Sequence, residues 1–258
     1  MKTVDVLWNT APAGLKPADG KVDVFYAPLD VPAKRLDELA QSLSEDEWQR
    51  AERFHLERDY RRFVAGRGTL REILAALLDM NPASLMFSYC EFGKPRIAAP
   101  AAARSLHFNL AHSDSIAVYA IAKHELGVDV ERIRAMDDAD QIASRFFSQR
   151  EKNCLLALPA EQRTEAFFNC WTRKEAYLKA IGSGLDDCLD QIEVSLAPGE
   201  AAELLGVPDD SQPWFLHSLV PAAEFVGALA IQPEDSRVNC WKWDGPPGGL
   251  WMVRKVKS

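Results

Sequence analysis

The stretch Gly127-Val128-Asp129-Val130-Glu131 alternates between apolar and acidic side chains, the pattern of a short strand with one face in a core. Because successive side chains of a strand point to opposite faces, Asp129 and Glu131 share one face and the two valines share the other. Two adjacent carboxylates repel each other, and their pairing is costly unless a cation or several donors lie between them. A solvated strand end carries the same pattern, so the stretch alone leaves both interpretations open.

The elements on either side of this strand recur in one order. A helix over 60–78 precedes a strand of small and branched residues over 116–122, and a helix over 167–181 precedes a similar strand over 225–231. The offset between the two pairs is near half the chain, which favours two similar α+β halves that meet near residues 123–126. Sequence identity between the halves is weak, so chance recurrence of common elements is the alternative.

The composition is that of a soluble globular protein. The chain has 258 residues, 47% hydrophobic and 26% charged, a length that suits one large domain or two of ordinary size. The apolar run over 116–122 is too short to span a bilayer, and Asp5 and Asn9 interrupt the N-terminus before a signal-peptide core forms. Five scattered cysteines without a CxxC pair suit a reducing compartment. These features predict a cytoplasmic protein with no membrane span.

The net charge limits the partners. Thirty Lys and Arg against 38 Asp and Glu give −8, which does not steer a protein to nucleic acid, so we expect no nucleic-acid partner. Any polyanionic ligand must meet a local basic patch. One basic patch is formed by Arg50, Arg53, Arg62, Arg67 and Arg71. Lys94 and His112 lie in short loops beside strands, where binding residues concentrate, although a lone histidine is more often a packing residue.

The helix over 167–181 supplies a third carboxylate. Glu175 and Lys179 are four residues apart and share a face, which is also the spacing of an ordinary surface ion pair. Together with Asp129 and Glu131, Glu175 offers an all-oxygen set for Mg2+, which keeps several waters and is normally completed by substrate phosphates. Mn2+ favours the same ligands. From the residues alone, these features indicate a Mg2+-dependent enzyme acting on a phosphorylated small molecule.

Five segments carry a resemblance to a known family. They are Gly93-Lys94-Pro95, Phe108-Asn109-Leu110-Ala111-His112-Ser113, Gly127-Val128-Asp129-Val130-Glu131, Arg145-Phe146-Phe147-Ser148-Gln149-Arg150-Glu151 and Trp171-Thr172-Arg173-Lys174-Glu175-Ala176-Tyr177-Leu178-Lys179. In this order they resemble the motifs of the surfactin-synthetase-type (Sfp-type) 4′-phosphopantetheinyl transferases. Any one segment alone would be weak, but five in order over roughly residues 44 to 196 are specific.

The resemblance implies an α+β fold that is a pseudo-dimer of two similar halves with the active site in the cleft between them. It divides the chain into an N-terminal half over 1–124, which binds coenzyme A, and a C-terminal half over 125–258 with the Mg2+ site and the carrier-protein contact. The implied reaction moves 4′-phosphopantetheine from coenzyme A to a serine of an apo acyl- or peptidyl-carrier protein and releases adenosine 3′,5′-bisphosphate. Such carriers serve fatty-acid, polyketide or nonribosomal-peptide synthesis, and a monomer is expected because one chain holds the whole cleft.

The resemblance also implies roles for single residues. The metal ligands are Asp129, Glu131 and Glu175. The coenzyme A contacts are Arg50, Arg62, Lys94, Asn109, Ala111, His112, Asp129 and Lys179. The catalytic residues are Glu151, as the base toward the carrier serine, with Lys179 and Glu175. Ala111 departs from the family, which usually has Ser there, and so removes a hydroxyl that could bind the 3′-phosphate.

Two other readings of the sequence compete with the transferase. A non-catalytic coenzyme A- or carrier-binding paralogue would be favoured by loss of a metal carboxylate, but all three are present. A Mg2+-dependent nucleotide hydrolase would be expected to carry a Walker-type glycine-rich loop, and this sequence has none. The apolar stretch over 154–159 is either an exposed patch that receives the carrier or the buried end of a helix.

Overall fold

The computed structural model describes residues 7–90, 93–100, 105–183, 189–208 and 213–246. The outer ends of the two expected halves, residues 1–6 and 247–258, lie outside the described residues. Within the described ranges, no helix is long and apolar enough to cross a membrane.

The first part of the chain contains three helices and six strands among the described residues. They are β1 (Asn9–Thr10), β2 (Lys21–Pro28), α1 (Ala33–Ala40), α2 (Glu45–Ala51), α3 (Glu57–Leu78), β3 (Met86–Tyr89), β4 (Pro95–Ala99), β5 (His107–Ser113) and β6 (Ile116–Ala122). The second part contains β7 (Leu126–Arg132), α4 (Ala139–Phe146), α5 (Gln149–Ala157), α6 (Ala160–Ile181), β8 (Glu193–Val194), β9 (Leu204–Gly206), β10 (Phe215–Leu219), β11 (Phe225–Ile231) and β12 (Arg237–Lys242).

The two halves repeat one topology. In the first, β2 is followed by the long helix α3 and then by β5 and β6, and the strands pair in the order β2-β6-β5, all antiparallel. In the second, β7 is followed by the long helix α6 and then by β10 and β11, and the order is β7-β11-β10, again antiparallel. The middle strands β6 and β11 are buried along their whole length. The expectation of two similar α+β halves is confirmed, and chance recurrence of common elements does not explain this shared topology.

The last described strand does not stay in the second half. β12 pairs in parallel with β2, and β1 pairs in parallel with the other edge of β12, so both extend the first sheet to five strands. The indole N–H of Trp241 donates to Asp23 Oδ1 at 2.9 Å, and Trp243 is buried against Phe25. The three antiparallel strands and long helix of one half therefore precede those of the other half along the chain, but β12 returns to the first sheet. The boundary between 124 and 125 stays a prediction.

β7 packs closely on α6. A Cβ atom at Gly127 would lie 2.1 Å from the carbonyl oxygen of Ala176 and 2.3 Å from the backbone nitrogen of Ala180, so only glycine permits this approach. A buried cluster that includes Val22, Val118, Val128 and Leu229 joins the two sheets. β7 is therefore fixed from both sides, by its own helix and by the first half.

Candidate active site

Three acidic side chains and one lysine meet where β7 lies against α6. Asp129 and Glu175 are buried, at 5% and 7% exposure, and Glu131 is half-buried at the end of β7. Lys179 Nζ donates to Asp129 Oδ1 at 2.6 Å. Asp129 Oδ2 and Glu175 Oε1 are buried and have no hydrogen-bond partner among the described residues. The structure thus brings together the four residues that the sequence placed on two separate elements.

The charges in this cluster do not balance. Burial, added to the negative charges of Asp129 and Glu131, raises the pKa of Glu175 to about 7. Burial also raises the pKa of Asp129 against the pull of Lys179, and it raises that of Glu131 against a hydrogen bond from Ser113. For Lys179, burial disfavours the ammonium, but the attraction of the three carboxylates outweighs it and the pKa is raised. One ammonium does not neutralise three ionised carboxylates, so the cluster carries a net negative charge that a bound cation would neutralise.

The donor set fits a hard divalent cation that shares its coordination with a ligand. Two unpartnered, buried carboxylate oxygens are the groups that Mg2+ or Mn2+ prefers. The carboxylates do not form a closed cage, because no three His, Cys, Asp or Glu side chains of the described ranges converge enough to hold a metal alone. Mg2+ needs no such cage where one or two carboxylates are completed by water and substrate phosphates.

A basic cavity of about 660 Å³ adjoins this cluster on the side of α2, α3 and β5. Its charged lining consists of Arg50, Arg58, Arg62, Arg67 and Arg134 with Asp59 and Asp114. Its aromatic lining includes Phe54 and Phe63, whose ring centroids are 5.3 Å apart. The excess of arginine over aspartate makes this the local basic patch that the acidic chain requires for an anionic ligand.

The arginines of the cavity differ in how far their charge is already compensated. Arg62 donates to Asp30 at 2.8 Å and to Asp114 at 2.8 Å, and these carboxylates raise its pKa. Arg50 lies over the ring of Phe63 at 5.7 Å. Arg67 is buried, with its Nε 3.6 Å from Glu47 Oε1 and its Nη2 donating to Tyr89, but its Nη1 atom has no partner among the described residues. A buried guanidinium with an unpartnered N–H is a ready donor to an anion in the cavity.

His112 lies between the cavity and the acidic cluster. It is exposed on β5 and lines the cavity, and it is close enough to Lys179 and Asp129 for their charges to change its pKa. Partial loss of hydration at the cavity wall, together with the charges of Lys179 and Arg62, lowers the pKa of His112. The imidazole is therefore neutral near pH 7 and can donate or accept one hydrogen bond at this position.

Alternation along β5 corrects two of the expected ligand contacts. Leu110 and His112 line the cavity, whereas Asn109 and Ala111 face β7. Asn109 is buried and its Oδ1 accepts the backbone N–H of Val128 at 2.8 Å. The methyl group of Ala111 belongs to the apolar cluster between the sheets, so a hydroxyl at position 111 would point to β7 rather than into the cavity. The structure does not support a ligand contact by either side chain.

Lys94 is also used elsewhere. Its ammonium donates to the carbonyl oxygens of Lys179 at 2.8 Å, Leu126 at 3.1 Å and Ala180 at 3.3 Å, and to Glu125 Oε2 at 3.1 Å. It therefore caps the C-terminal turn of α6 and ties it to the start of β7. Lys94 lines a separate cavity of about 340 Å³, so the expected contact with a ligand beside His112 is corrected to a contact that fixes the backbone around Lys179.

Glu151 does not reach the cleft. It is 1% exposed, its Oε2 accepts from the N–H of Ser148 at 2.8 Å and from Lys174 Nζ at 2.6 Å, and its Oε1 accepts from the N–H of Val194 at 2.9 Å. Ser148 and Glu151 form the capping box of α5, a spacing that the sequence displays as S-x-x-E. A carboxylate with both oxygens occupied in the core cannot take a proton from a substrate in this structure, which corrects its expected role as base.

The apolar stretch at the end of α5 is mixed. Leu155 is buried and Leu158 packs against the core of the second half, while Leu156 is 65% exposed. The stretch is therefore neither wholly exposed nor wholly buried, Leu156 is its exposed leucine, and a carrier contact there stays a prediction.

Comparison with known proteins agrees with this geometry. The model of the 4′-phosphopantetheinyl transferase superfamily matches residues 125–230, and that of the 4′-phosphopantetheinyl transferase N-terminal region matches residues 32–124. The 4′-phosphopantetheinyl transferase HetI of Nostoc sp. is 41% identical over 225 residues, which cover 87% of this chain and 93% of that protein. The chain belongs to the 4′-phosphopantetheinyl transferase superfamily.

Two further relatives place it in the Sfp-type branch of that superfamily. The 4′-phosphopantetheinyl transferase psf-1 of Bacillus pumilus is 34% identical over 220 residues, 80% of this chain and 92% of that protein. The 4′-phosphopantetheinyl transferase Sfp of Bacillus subtilis is 29% identical over 175 residues, 67% of this chain and 75% of that protein. The resemblance drawn from the five sequence segments is thereby confirmed.

Sequence reasoning did not single out two residues of this superfamily member that the structure places at the site. Arg67 was one of many arginines on a basic helix, and no local pattern marks it as one with a buried N–H that has no partner among the described residues. Ser113 is the last residue of β5 and contacts Glu131. It lies an even number of residues after Asn109, and this spacing, which puts both side chains on the face of β5 toward β7, was the sequence signal for it.

Proposed function

We propose that this protein transfers the 4′-phosphopantetheine group of coenzyme A to a serine hydroxyl of an apo acyl- or peptidyl-carrier protein and releases adenosine 3′,5′-bisphosphate. The observation that carries the proposal is the pair of unpartnered, buried oxygens of Asp129 and Glu175, next to a basic cavity. A non-catalytic paralogue would have no reason to keep three clustered carboxylates in which, beyond the effect of burial, Asp129 raises the pKa of Glu131 and both raise the pKa of Glu175.

The basic cavity suits the phosphorylated nucleotide end of coenzyme A. A volume of about 660 Å³ is in the range of ligand sites, and its arginines offer charge-assisted hydrogen bonds to phosphate. Arg67 supplies an unpartnered N–H, and Arg50, which lies over the ring of Phe63, and Arg62 also line the cavity. Phe54 and Phe63 give the cavity an aromatic wall against which a base can pack.

Asp129, Glu131 and Glu175 would hold the divalent cation, Mg2+ with Mn2+ as a substitute. When bound, the cation would neutralise negative charge on the oxygens of the coenzyme A pyrophosphate. Lys179 is kept charged by the same carboxylates and lies at their edge, where it can donate to the transferred phosphate. Neutral His112 stands between cavity and cluster and can position the pyrophosphate through one hydrogen bond.

The nucleophile belongs to the carrier protein, and its proton needs an acceptor on this chain or in solvent. Glu151 is enclosed in the core, and Asp129, Glu131 and Glu175 are assigned to the cation, so the acceptor that we propose is solvent at the cleft.

One chain supplies both walls of the cleft, so we propose that the protein acts as a monomer. A cytoplasmic location agrees with Cys90, Cys154, Cys170 and Cys240, which are all free. The fatty-acid, polyketide and nonribosomal-peptide carriers are the partner classes to test.

The test is the intact mass of apo carrier proteins after incubation with this protein, coenzyme A and Mg2+, with EDTA as a control. A metal-dependent gain of one phosphopantetheine group on a carrier establishes the reaction, and a panel of carriers then ranks the partners. Binding of coenzyme A without a mass gain on any carrier would instead identify the non-catalytic paralogue.

A further inference from the structure

Ser113 contacts the acidic strand from the other half of the protein. It is the last residue of β5 and is 6% exposed. Its hydroxyl donates to Glu131 Oε2 at 2.6 Å and accepts the backbone N–H of Arg132 at 3.1 Å. A serine hydroxyl has one proton and two acceptor positions, so both bonds form together and fix its direction. The Glu131 carboxylate is thus held from across the interface between the halves.

The same arrangement is found four residues earlier on both strands. Asn109 Oδ1 accepts the N–H of Val128, and both this bond and the bond from Arg132 to Ser113 join residues 19 apart in sequence. β5 and β7 therefore run side by side in one direction with a constant register. Side chains of β5 supply the acceptors for backbone N–H groups on the edge of β7, which would otherwise be buried without partners.

From these contacts we infer that Ser113 is a positioning residue, whose hydroxyl aims the Glu131 carboxylate at the cation shared with Asp129 and Glu175. The inference rests on the proposed function, since it takes the three carboxylates to hold a divalent cation. An O–H group that donates to a carboxylate makes one of the stronger hydrogen bonds in proteins. Groups that orient a ligating side chain typically cost 10- to 100-fold in metal affinity when they are removed.

A purely structural role would leave the bond to Glu131 unexplained. The N–H of Arg132 is satisfied by the serine oxygen whichever way the hydroxyl proton points. Glu131 is half-buried and can reach water, so packing alone does not require its oxygen to lie against Ser113. The bond instead restricts Glu131 to one direction, which lowers the entropy that the side chain loses when it binds a cation.

The chain offers a matched control in Ser42. This serine is 9% exposed and its hydroxyl donates to the carbonyl oxygen of Leu39 at 2.8 Å, with no contact to the acidic cluster. Replacement by alanine removes one hydroxyl hydrogen bond at Ser42, and at Ser113 it removes both the bond to Glu131 and the bond from the N–H of Arg132. Ser42→Ala therefore controls for the loss of a buried hydroxyl, and the Glu131→Gln background described below separates the Glu131 contact from the bond to the N–H of Arg132.

The experiment titrates metal-free protein with Mg2+, and then with Mn2+, in the presence of coenzyme A and without a carrier protein, by isothermal titration calorimetry, and follows unfolding in urea in parallel. Ser113→Ala is expected to raise the dissociation constant for Mg2+ about tenfold or more. Ser113→Thr retains the hydroxyl and is expected to recover most of the affinity. Ser42→Ala is expected to bind Mg2+ like the unmodified protein while losing a comparable share of stability.

A double-mutant comparison keeps the test decisive if the additional methyl group of threonine is not accommodated. In a Glu131→Gln background, Ser113→Ala is expected to cause no further loss of Mg2+ affinity, because the carboxylate that it positions is gone. Additive losses would overturn the inference.

The outcomes separate this inference from the function on which it rests. If Glu131→Gln weakens Mg2+ binding and Ser113→Ala does not, the positioning role is refuted and the metal assignment stands. If the unmodified protein binds no Mg2+ while its carrier transfer survives EDTA, the metal assignment fails and the inference fails with it.

Discussion

Glu151 and Lys174 form an ion pair in the core of the second half, with 2.6 Å between Lys174 Nζ and Glu151 Oε2 and side-chain exposures of 1% and 0%. The ammonium also donates to the carbonyl oxygens of Phe146 at 3.0 Å and Leu189 at 2.7 Å. Lys174 immediately precedes Glu175 on α6 but points away from the cleft. The pair therefore ties α4, α5 and the 189–194 segment to the helix that carries Glu175 and Lys179.

Glu151→Ala is expected to act on stability, because it leaves the Lys174 ammonium buried without its counter-charge. Breaking a buried pair in this way costs about 3–5 kcal/mol. The measurement is the free energy of unfolding in urea, compared with Glu151→Gln combined with Lys174→Met, which removes both charges and should lose less. Since Glu151 does not reach the cleft, turnover per folded molecule should stay near that of the unmodified protein. A Glu151→Gln protein of full stability that has lost turnover would restore the residue as a base.

The features that the sequence predicted well are those with a local pattern. Strict alternation over 127–131 marks β7, and its glycine is explained by the approach of α6. The two long helices and the two buried strands follow from their apolar periodicity, and their repeated order predicted the two halves. Asp129, Glu131, Glu175 and Lys179 fall on these well-marked elements, which is why the sequence placed them together correctly.

What the sequence did not predict depends on contacts without a local signal. β12 pairs with β2 although more than 200 residues separate them, and nothing near Arg237–Lys242 indicates which sheet accepts it. The side chain of Lys94 turns to the end of α6 because three carbonyl oxygens meet there, a tertiary feature. Two of the corrected roles could have been recognised in the sequence. Alternation along β5 places Ala111 on the opposite face from His112, and the Ser148–Glu151 spacing is that of a capping box, which occupies Glu151.

Asp129→Asn is expected to lower carrier modification by about 100-fold or more, since it removes a charge that the proposed cation requires, worth about 3 kcal/mol in the transition state. The fold should survive, because burial raises the pKa of Asp129, and its ionised form is therefore not a source of net stability in the metal-free protein. The measurement is the rate of carrier mass gain, with the unfolding midpoint as control. Retention of the unmodified rate would refute the metal role of Asp129.

The stability of the metal-free protein is expected to fall as pH rises from about 4.5 to about 7. The pKa of Glu175 is raised from 4.5 to about 7 by burial and by its acidic neighbours, so the folded state binds a proton that the unfolded state has released in this range. Over this interval the loss attributable to Glu175 is about 3 kcal/mol. Urea unfolding in EDTA at several pH values measures it, and Glu175→Gln should flatten the slope.

Mg2+ should counteract this loss, because it binds the ionised carboxylates. The increase in unfolding free energy on addition of Mg2+ is therefore expected to be larger at pH 7.5 than at pH 5. An equal increase at both pH values would show that the cation binds elsewhere.

Leu156→Asp is expected to weaken the encounter with the carrier protein. Leu156 is 65% exposed on α5, next to core leucines that fix the helix, and carrier recognition in the proposed reaction calls for an apolar contact of this kind. Loss of one buried leucine contact is worth about 1.5 kcal/mol, or about tenfold in the KM for the carrier, while the KM for coenzyme A should stay unchanged. The matched control is Leu205→Asp, an exposed leucine on β9 at 39% exposure. If both substitutions raise the carrier KM equally, added negative charge is the cause and α5 is not the contact.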